Sequence, residues 1–116
     1  MPHIDISTNA SVAPKVGQKL LGDVVSLTET LLGKPKNVTM ARISGDALMS
    51  FQGTPAPAAF VRVAAIGLPT LEARNALTSG IAALLDEVLA VPVARTFVVF
   101  TDVPRDQWGV NGAVLS

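Results

Sequence analysis

The sequence has no cysteine and no tyrosine, and His3 is its one histidine among 116 residues. Without cysteine there are no disulfides and no thiol nucleophiles, and a single histidine leaves nearly no metal site of the usual Cys and His type. We therefore assign no metal and no cofactor to the chain. Any chemistry that it performs has to use other groups.

Charged residues are also scarce, at 16% of the sequence, and nine basic side chains balance nine acidic ones. No cluster of basic residues stands out, so the charge pattern supports neither nucleic-acid binding nor binding to a membrane surface. The sequence also lacks an apolar run of about 18 residues and the charged and apolar start of a signal peptide. These absences favour a cytoplasmic protein.

Apolar residues, in contrast, make up 49% of the sequence, and the mean hydropathy is +0.47. The length predicts a single domain, residues 1–116, that is large enough for a real core. The apolar fraction is high for a monomer that has to cover its own surface. We therefore expect the chain to be one subunit of an oligomer.

An internal repeat organises most of the chain. The segment LGKPKNVTMARI, from Leu32, aligns with LAVPVARTFVVF, from Leu89, and Pro35 then falls on Pro92. The offset is the 57 positions that separate Leu32 from Leu89. The agreement lies in pattern more than in identity, and it indicates one unit written twice.

Each unit is predicted to form a strand, a helix and a strand. Runs rich in β-branched residues predict strands at Ile4–Thr8, Val38–Ile43, Phe60–Ile66 and Thr96–Thr101. Between them, apolar residues recur at spacings of three and four and predict one amphipathic helix per unit. These residues are Val16, Leu20, Leu21, Val24, Leu27 and Leu31 in the first unit and Leu77, Ile81, Leu84, Leu85, Val88 and Leu89 in the second. Gly33 and Pro35 are expected to end the first helix.

Two such β-α-β units predict an α/β (α+β) fold, with a four-stranded mixed sheet and two helices on one face. The other face of the sheet is then uncovered, so we expect an oligomer whose sheets face one another. The tail DQWGVNGAVLS contains Trp108 and a Gly-Val-Asn-Gly turn. It suits a small hairpin or a strand added to a neighbouring chain.

The chain begins MPHIDISTN, with a proline where the first strand starts. Proline has no N–H to donate to a neighbouring strand, so a sheet tolerates proline as the first residue of a strand but gains nothing from it. If Met1 is removed, Pro2 carries a secondary amine on a rigid ring at a fixed strand end. A structural alternative is that a proline in this place simply favours removal of Met1. Lys34 has a structural alternative too, because a lysine beyond a helix end is commonly solvated and interacts favourably with the helix dipole.

The order of several segments resembles the tautomerase superfamily, in its macrophage migration inhibitory factor and D-dopachrome tautomerase branch. The matching stretches are MPHIDISTN, LLGKP, ALMSFQGTPAPAA, AIG, RTFVVFTD and WGVNG. The resemblance implies a homotrimer with sites at subunit boundaries and keto–enol tautomerisation of α-keto acids of the phenylpyruvate type. It implies that Pro2 is the general base and that Lys34 binds the substrate carboxylate or enolic oxygen, helped by the backbone amide of Ile66. Members of the family also suggest possible non-classical secretion.

Proton transfer between carbon and oxygen needs a base whose pKa lies near the working pH. An α-amino group titrates at about 7.7–8.0, and both burial and a neighbouring ammonium such as Lys34 favour its neutral form. His3 stays outside the catalytic set. Asp5 and Arg62 are equivalent under the repeat, so we expect them to pair across strands. Trp108 and Phe51 are candidates for a pocket wall, and core packing is an equal alternative.

The chain also departs from the cytokine members of this branch. The places where a neighbouring subunit supplies a tyrosine and an asparagine fall on Phe97 and Val99, so the resemblance implies a more apolar pocket. The Cys-x-x-Cys of those members falls on AAFV, and their pocket phenylalanine falls on Leu115. A thiol redox role is therefore excluded, and stacking on an aryl substrate is expected to be weaker.

Two functions from different classes remain open at this point. The first is an isomerase with a proline base. The second is a cytokine-like binding or interaction protein that keeps the scaffold with weak or vestigial tautomerase activity. The state of the amino terminus distinguishes them, because with Met1 retained Pro2 is an amide nitrogen without usable basicity.

Overall fold

The computed structural model describes residues 1–116 and contains two long helices and six strands. The elements are β1 (Pro2–Thr8), α1 (Pro14–Leu32), β2 (Met40–Ser44), β3 (Ala59–Ala65), α2 (Leu71–Leu89), β4 (Thr96–Asp102), β5 (Gly109–Val110) and β6 (Ala113–Val114). Short 3-10 turns lie at Lys36–Val38, Val93–Arg95 and Arg105–Gln107. No helix of the chain combines the length and the apolar character needed to cross a membrane.

The first four strands form one mixed sheet in the order β2-β1-β3-β4. The strands of each unit are parallel, β1 to β2 and β3 to β4, and the two units meet where β1 and β3 run antiparallel. The predicted fold of two β-α-β units in a four-stranded mixed sheet is therefore confirmed. Parallel neighbours inside each unit follow from the crossover helix, because a helix returns the chain to the same end of the sheet.

The internal repeat holds element by element in the structure. A shift by 57 positions carries β1 onto β3, α1 onto α2 and the 3-10 turn Lys36–Val38 onto Val93–Arg95. Gly33 ends α1 in the left-handed conformation with φ of 66°, as the sequence predicts, and Ala90 ends α2 in the same conformation with φ of 55°. The two units are thus alike down to the way in which each helix stops.

The core lies between the helices and one face of the sheet. Alternate residues of β1 and β3 are buried, among them Ile4, Ile6, Val61 and Val63. They pack with the apolar stripes of both helices, which include Leu20, Val24, Leu77, Ile81 and Leu85. Both helices therefore cover the same sheet face, since a strand places successive side chains on opposite faces.

The opposite face of the sheet carries exposed apolar side chains. Met40 is 68% exposed on β2, and Phe97 and Val99 are 54% and 40% exposed on β4. Arg42 and Asp5 form an ion pair on this face at 3.1 Å. The predicted pairing of Asp5 with Arg62 is wrong: the two residues are opposite each other in register, but the Arg62 guanidinium lies over the Phe60 ring, 5.3 Å from its centroid.

The second strand begins later than the sequence predicts. Val38 closes a 3-10 turn by donating its backbone N–H to the Pro35 carbonyl at 3.2 Å, and the Thr39 hydroxyl donates to the same carbonyl at 2.8 Å. Pro35 starts this turn because its ring fixes φ. The strand starts only at Met40, and at the same end of the sheet Ile66 lies one residue beyond β3.

Candidate active site

A cavity of about 420 Å³ opens at the amino end of β1. It is bounded by the first residues of the chain, the 3-10 turn that follows α1 and the hairpin of β5 and β6. Its lining includes Pro2, His3, Asn37, Met40, Trp108 and Val110. The walls are mostly apolar, and their polar side chains include His3 on β1 and Asn37 and Thr39 on the side of the 3-10 turn.

Pro2 is the buried first residue of β1 and lies opposite Ala65, the last residue of β3. A strand accepts proline most readily as its first residue, because no ladder hydrogen bond is then lost. The antiparallel register brings the amino end of β1 next to the turn that follows β3. Pro2 and Ile66 are therefore neighbours in space, although 64 positions of sequence separate them.

Lys34 reaches the same place from the end of α1. Its half-buried ammonium donates a hydrogen bond to the backbone carbonyl of Ile66 at 2.8 Å. The loop that carries it is fixed on the other side by Glu29, whose carboxylate accepts the Lys36 backbone N–H at 3.0 Å. The two ion pairs of the chain are Lys19 with Asp23 and Arg42 with Asp5. The charge of Lys34 is thus not neutralised by an acidic side chain.

Ile66 contacts Lys34 through its backbone carbonyl. The resemblance implies that the backbone amide of Ile66 helps Lys34 to bind the substrate, and in this chain the Ile66 carbonyl accepts a hydrogen bond from the lysine. The carbonyl holds the lysine in place.

The amino-terminal amine lies within reach of this lysine. Partial burial, and to a smaller extent the positive charge of Lys34, lower the pKa of the Met1 amine below its ordinary value of about 8. Both causes disfavour the ammonium form, because one removes water and the other adds a like charge. An amine at this end of β1 is a better base at neutral pH than a solvated lysine.

Trp108 lines the cavity because the tail folds into a hairpin. Asn111 and Gly112 both have positive φ, 55° and 84°, which is the conformation of a two-residue turn between strands. The Leu115 backbone N–H donates to the Trp108 carbonyl at 2.9 Å and closes the hairpin. The tail therefore covers one side of the cavity with an indole ring.

Phe97 and Val99 do not line this cavity within one chain. They lie on β4, two strands away from β1, on the uncovered sheet face. Phe51 is not in the cavity either, since its ring packs edge to face against Phe97 with centroids 4.9 Å apart. One chain thus places Pro2 and Trp108 in the lining of the cavity. Lys34 and Ile66 contact each other beside Pro2 but outside that lining, and Phe97 and Val99 lie elsewhere.

Sequence reasoning missed several residues of this region. Asn37, Met40 and Val110 line the cavity, and Asp102 contacts the turn after β3. The only available signal for Asn37 was its place three residues after Lys34 in a loop that follows a helix. No group of three or more His, Asp or Glu side chains is arranged to hold a metal ion.

Comparison with known proteins gives one consistent result. The family profile described as macrophage migration inhibitory factor (MIF) matches residues 1–116. A macrophage migration inhibitory factor homolog of Trichuris trichiura is 27% identical over 113 residues, which is 97% of this chain and 98% of that protein.

Solved structures agree with that match. The crystal structure of a macrophage migration inhibitory factor homologue from Prochlorococcus marinus has a TM-score of 0.93 at 26% identity and covers 98% of this chain and 99% of that one. The protein Pt0534, solved in a form inactivated by 2-oxo-3-pentynoate, has a TM-score of 0.83 at 20% identity and covers 97% and 94%. The latter likeness concerns the fold alone.

Proposed function

Because the chain belongs to the macrophage migration inhibitory factor family, we propose that it is an isomerase that interconverts keto and enol forms of an α-keto acid of the phenylpyruvate type. Pro2, exposed as the amino terminus by removal of Met1, is the general base. The observation that carries this proposal is the Lys34 ammonium, without an acidic partner, beside the amino end of β1.

The amine of Pro2 supplies the proton transfer. Its place in the fold is next to the Met1 amine, whose pKa burial and Lys34 lower, so the same two causes act on a proline terminus. In the keto-to-enol direction the neutral amine takes a proton from the carbon next to the keto group. The C–H electrons form the C=C bond, the carbonyl electrons move to oxygen, and that oxygen receives the proton back.

Lys34 binds the substrate in this proposal. A single ammonium that has spare N–H donors and no carboxylate partner attracts the carboxylate of an α-keto acid. In the transition state it also stabilises the negative charge that develops on the enolic oxygen. The resemblance assigns a second donor for the same oxygen to the backbone N–H of Ile66, the residue whose carbonyl holds the lysine.

We also propose a homotrimer in which a neighbouring subunit completes the site. The uncovered sheet face with Met40, Phe97 and Val99 exposed supports an assembly, because burial of such side chains stabilises an interface. Phe97 and Val99 would then reach the cavity of the adjacent chain. They add apolar surface to the site where the cytokine members have a tyrosine and an asparagine. We therefore expect a preference for substrates with an apolar tail.

The test combines intact mass with activity on one untagged sample. Loss of Met1 together with phenylpyruvate tautomerase activity, and loss of that activity when the amine is blocked, supports the proposal. A processed terminus without activity on several α-keto acids overturns it and favours the binding-protein function.

A second measurement identifies the base directly. An acetylenic α-keto acid such as 2-oxo-3-pentynoate, which inactivates Pt0534, accepts a neutral amine at its alkyne carbon. We expect one reagent per chain on the peptide that begins with Pro2. The variant Pro2→Ala is the control, since it keeps a terminal amine but loses the fixed ring. Equal labelling and activity in this variant would contradict a role for the proline.

A further inference from the structure

Asp102, the last residue of β4, lies outside the cavity and contacts the turn after β3. Its carboxylate accepts the Gly67 backbone N–H at 3.0 Å. Next to it, the Val103 backbone N–H donates to the Ala65 carbonyl at 2.8 Å. The two hydrogen bonds fasten residues 65–67 to the end of β4.

The contact with Gly67 matters because of which peptide group it holds. The Gly67 N–H and the Ile66 carbonyl belong to one planar peptide group, and in a trans peptide the two point in opposite directions. Asp102 binds the N–H, and the Lys34 ammonium binds the carbonyl at 2.8 Å. A carboxylate and an ammonium therefore hold one peptide group from its two sides.

The local backbone makes this orientation depend on the contacts. Gly67 has φ of 72°, a left-handed conformation that glycine adopts without strain. A Cβ added at Gly67 would meet no atom within 4 Å, so this side of the turn is open. The contacts that hold the orientation of the peptide group are the hydrogen bonds to Lys34 and Asp102.

We propose that Asp102 is a positioning residue that acts on Lys34 through the peptide group between Ile66 and Gly67. Its carboxylate keeps the Ile66 carbonyl turned toward the ammonium and makes that carbonyl a stronger acceptor by polarising the peptide. Because the carboxylate binds the far side of the peptide, it holds the lysine without neutralising it. The inference rests on the proposed function in that Lys34 is taken to bind the substrate.

The experiment compares Asp102→Ala, Asp102→Asn and Asp86→Ala. Asparagine keeps an oxygen that accepts the Gly67 N–H, whereas alanine does not. Asp86 is an exposed carboxylate near the end of α2 whose side chain makes no hydrogen bond, so its removal is the control. Each variant is measured for kcat and KM on phenylpyruvate, and for the pKa of the terminal amine from the pH dependence of its reaction with an amine reagent, followed by intact mass.

We expect Asp102→Ala to raise KM about fivefold with a smaller change in kcat, which corresponds to about 1 kcal/mol, the usual value of one hydrogen bond. The pKa of the amine should rise in the same direction as in Lys34→Ala, because the ammonium is no longer held beside it. Asp102→Asn and Asp86→Ala should stay within about twofold of the unchanged protein.

An unchanged KM and amine pKa in Asp102→Ala would overturn the proposal, and so would equal defects in the alanine and asparagine variants. If Asp102→Ala does not fold, Asp102→Leu has a similar volume without an acceptor and carries the same expectation. The amine titration needs no catalysis. A protein without tautomerase activity therefore disproves the proposed function, while the titration still decides whether Asp102 positions Lys34.

Discussion

The two repeated units of this chain have the same backbone arrangement, but they carry different side chains where the strand starts and the helix ends. In the first unit the strand starts with Pro2 and the loop after the helix carries Lys34. The equivalent residues of the second unit are Ala59 and Val91, which are 4% and 0% exposed and belong to the core. The first unit leaves a charged group beside an amine at this end, and the second unit closes the same end with apolar packing.

The difference shows that the fold does not determine the site. Both helices end in a left-handed residue, both loops continue with a proline and a 3-10 turn, and both turns lead into a strand. At this end of the sheet the units differ in the side chains at the positions of Pro2 and Lys34 and in the contacts around them. Exchanging residues between the units therefore separates what the site needs from what the fold needs.

The largest effect is expected when the second unit receives the lysine of the first. Val91→Lys places an ammonium where a fully buried side chain stands, so it should lower the free energy of unfolding by about 3 kcal/mol or more. Urea unfolding measures this value. Val93→Lys copies Lys36 at a position that is 53% exposed, and it should change stability by less than about 0.5 kcal/mol. Similar losses in both variants would show that the two ends do not differ in this way.

The reverse exchange tests the first unit. Lys34→Val should lower kcat/KM for phenylpyruvate about 100-fold, because a hydrogen bond to a charged group is lost in the transition state. Lys36→Val, two residues away and exposed, should retain activity within about twofold of the original. Urea unfolding of both variants checks that they are folded. Comparable activity of the two variants would rule out a special role for Lys34.

The pH dependence of kcat/KM gives a further distinction. A base acts in its neutral form, so the rate should rise with pH and level off above the pKa of the Pro2 amine. We expect burial and then Lys34 to lower this pKa, as they lower that of the Met1 amine. Lys34→Val removes the second cause, so the rise should move to higher pH while burial still keeps the pKa below the ordinary value. A rise at the same pH in both proteins would mean that Lys34 does not act on the amine.

A smaller effect is expected from the carboxylates near the helix ends. Glu29 accepts the Lys36 backbone N–H, whereas Asp86, its equivalent in the second unit, has no such contact. Glu29→Ala should raise KM about threefold by loosening the loop of Lys34, and Asp86→Ala should leave it unchanged. Steady-state kinetics with both variants measures the contrast. An equal change of KM in the two variants would show that the effect comes from the overall charge and not from the contact of Glu29 with the loop.

An effect on stability alone is expected where the helices stop. Gly33→Ala should lower the free energy of unfolding by about 1 kcal/mol, because a side chain is strained at φ of 66°. Steric contact should add nothing to this loss, since the added Cβ meets no atom within 4 Å. Ala90→Gly should stabilise by about 0.5 kcal/mol, since relief of strain is partly offset by the greater freedom of unfolded glycine. Thermal unfolding of the two variants should show changes of opposite sign. Changes in Tm of the same sign in the two variants would contradict the view that the two helix ends are equivalent.

Much of the fold was predictable from local pattern. The helix spacing, the strand composition and the offset of 57 positions identify both units, because each pattern reflects which face of an element is buried. The sequence pattern was insufficient to predict an ion pair where two arginines compete for one carboxylate. Asp5 lies in register with Arg42 on one side and Arg62 on the other, and the aromatic ring of Phe60 decides which arginine is free to pair with it.

The site was predictable only in part. Pro2 and Lys34 were identified through the resemblance to a family, since neither residue type is unusual at a strand start or a helix end. Lys34 donates to the Ile66 carbonyl across 32 positions of sequence, and Asp102 accepts from the Gly67 N–H across 35. Such contacts depend on how the ends of β3 and β4 are aligned in space, and no local pattern records that alignment.

The hairpin that brings Trp108 to the cavity also gives the protein an optical reporter. The chain has one tryptophan and no tyrosine, so its intrinsic fluorescence comes from a single half-buried indole in the cavity wall. A ligand that enters next to Pro2 displaces water from this ring and changes its emission. Binding can thus be followed by light alone, with no label and no turnover, including in variants that no longer react.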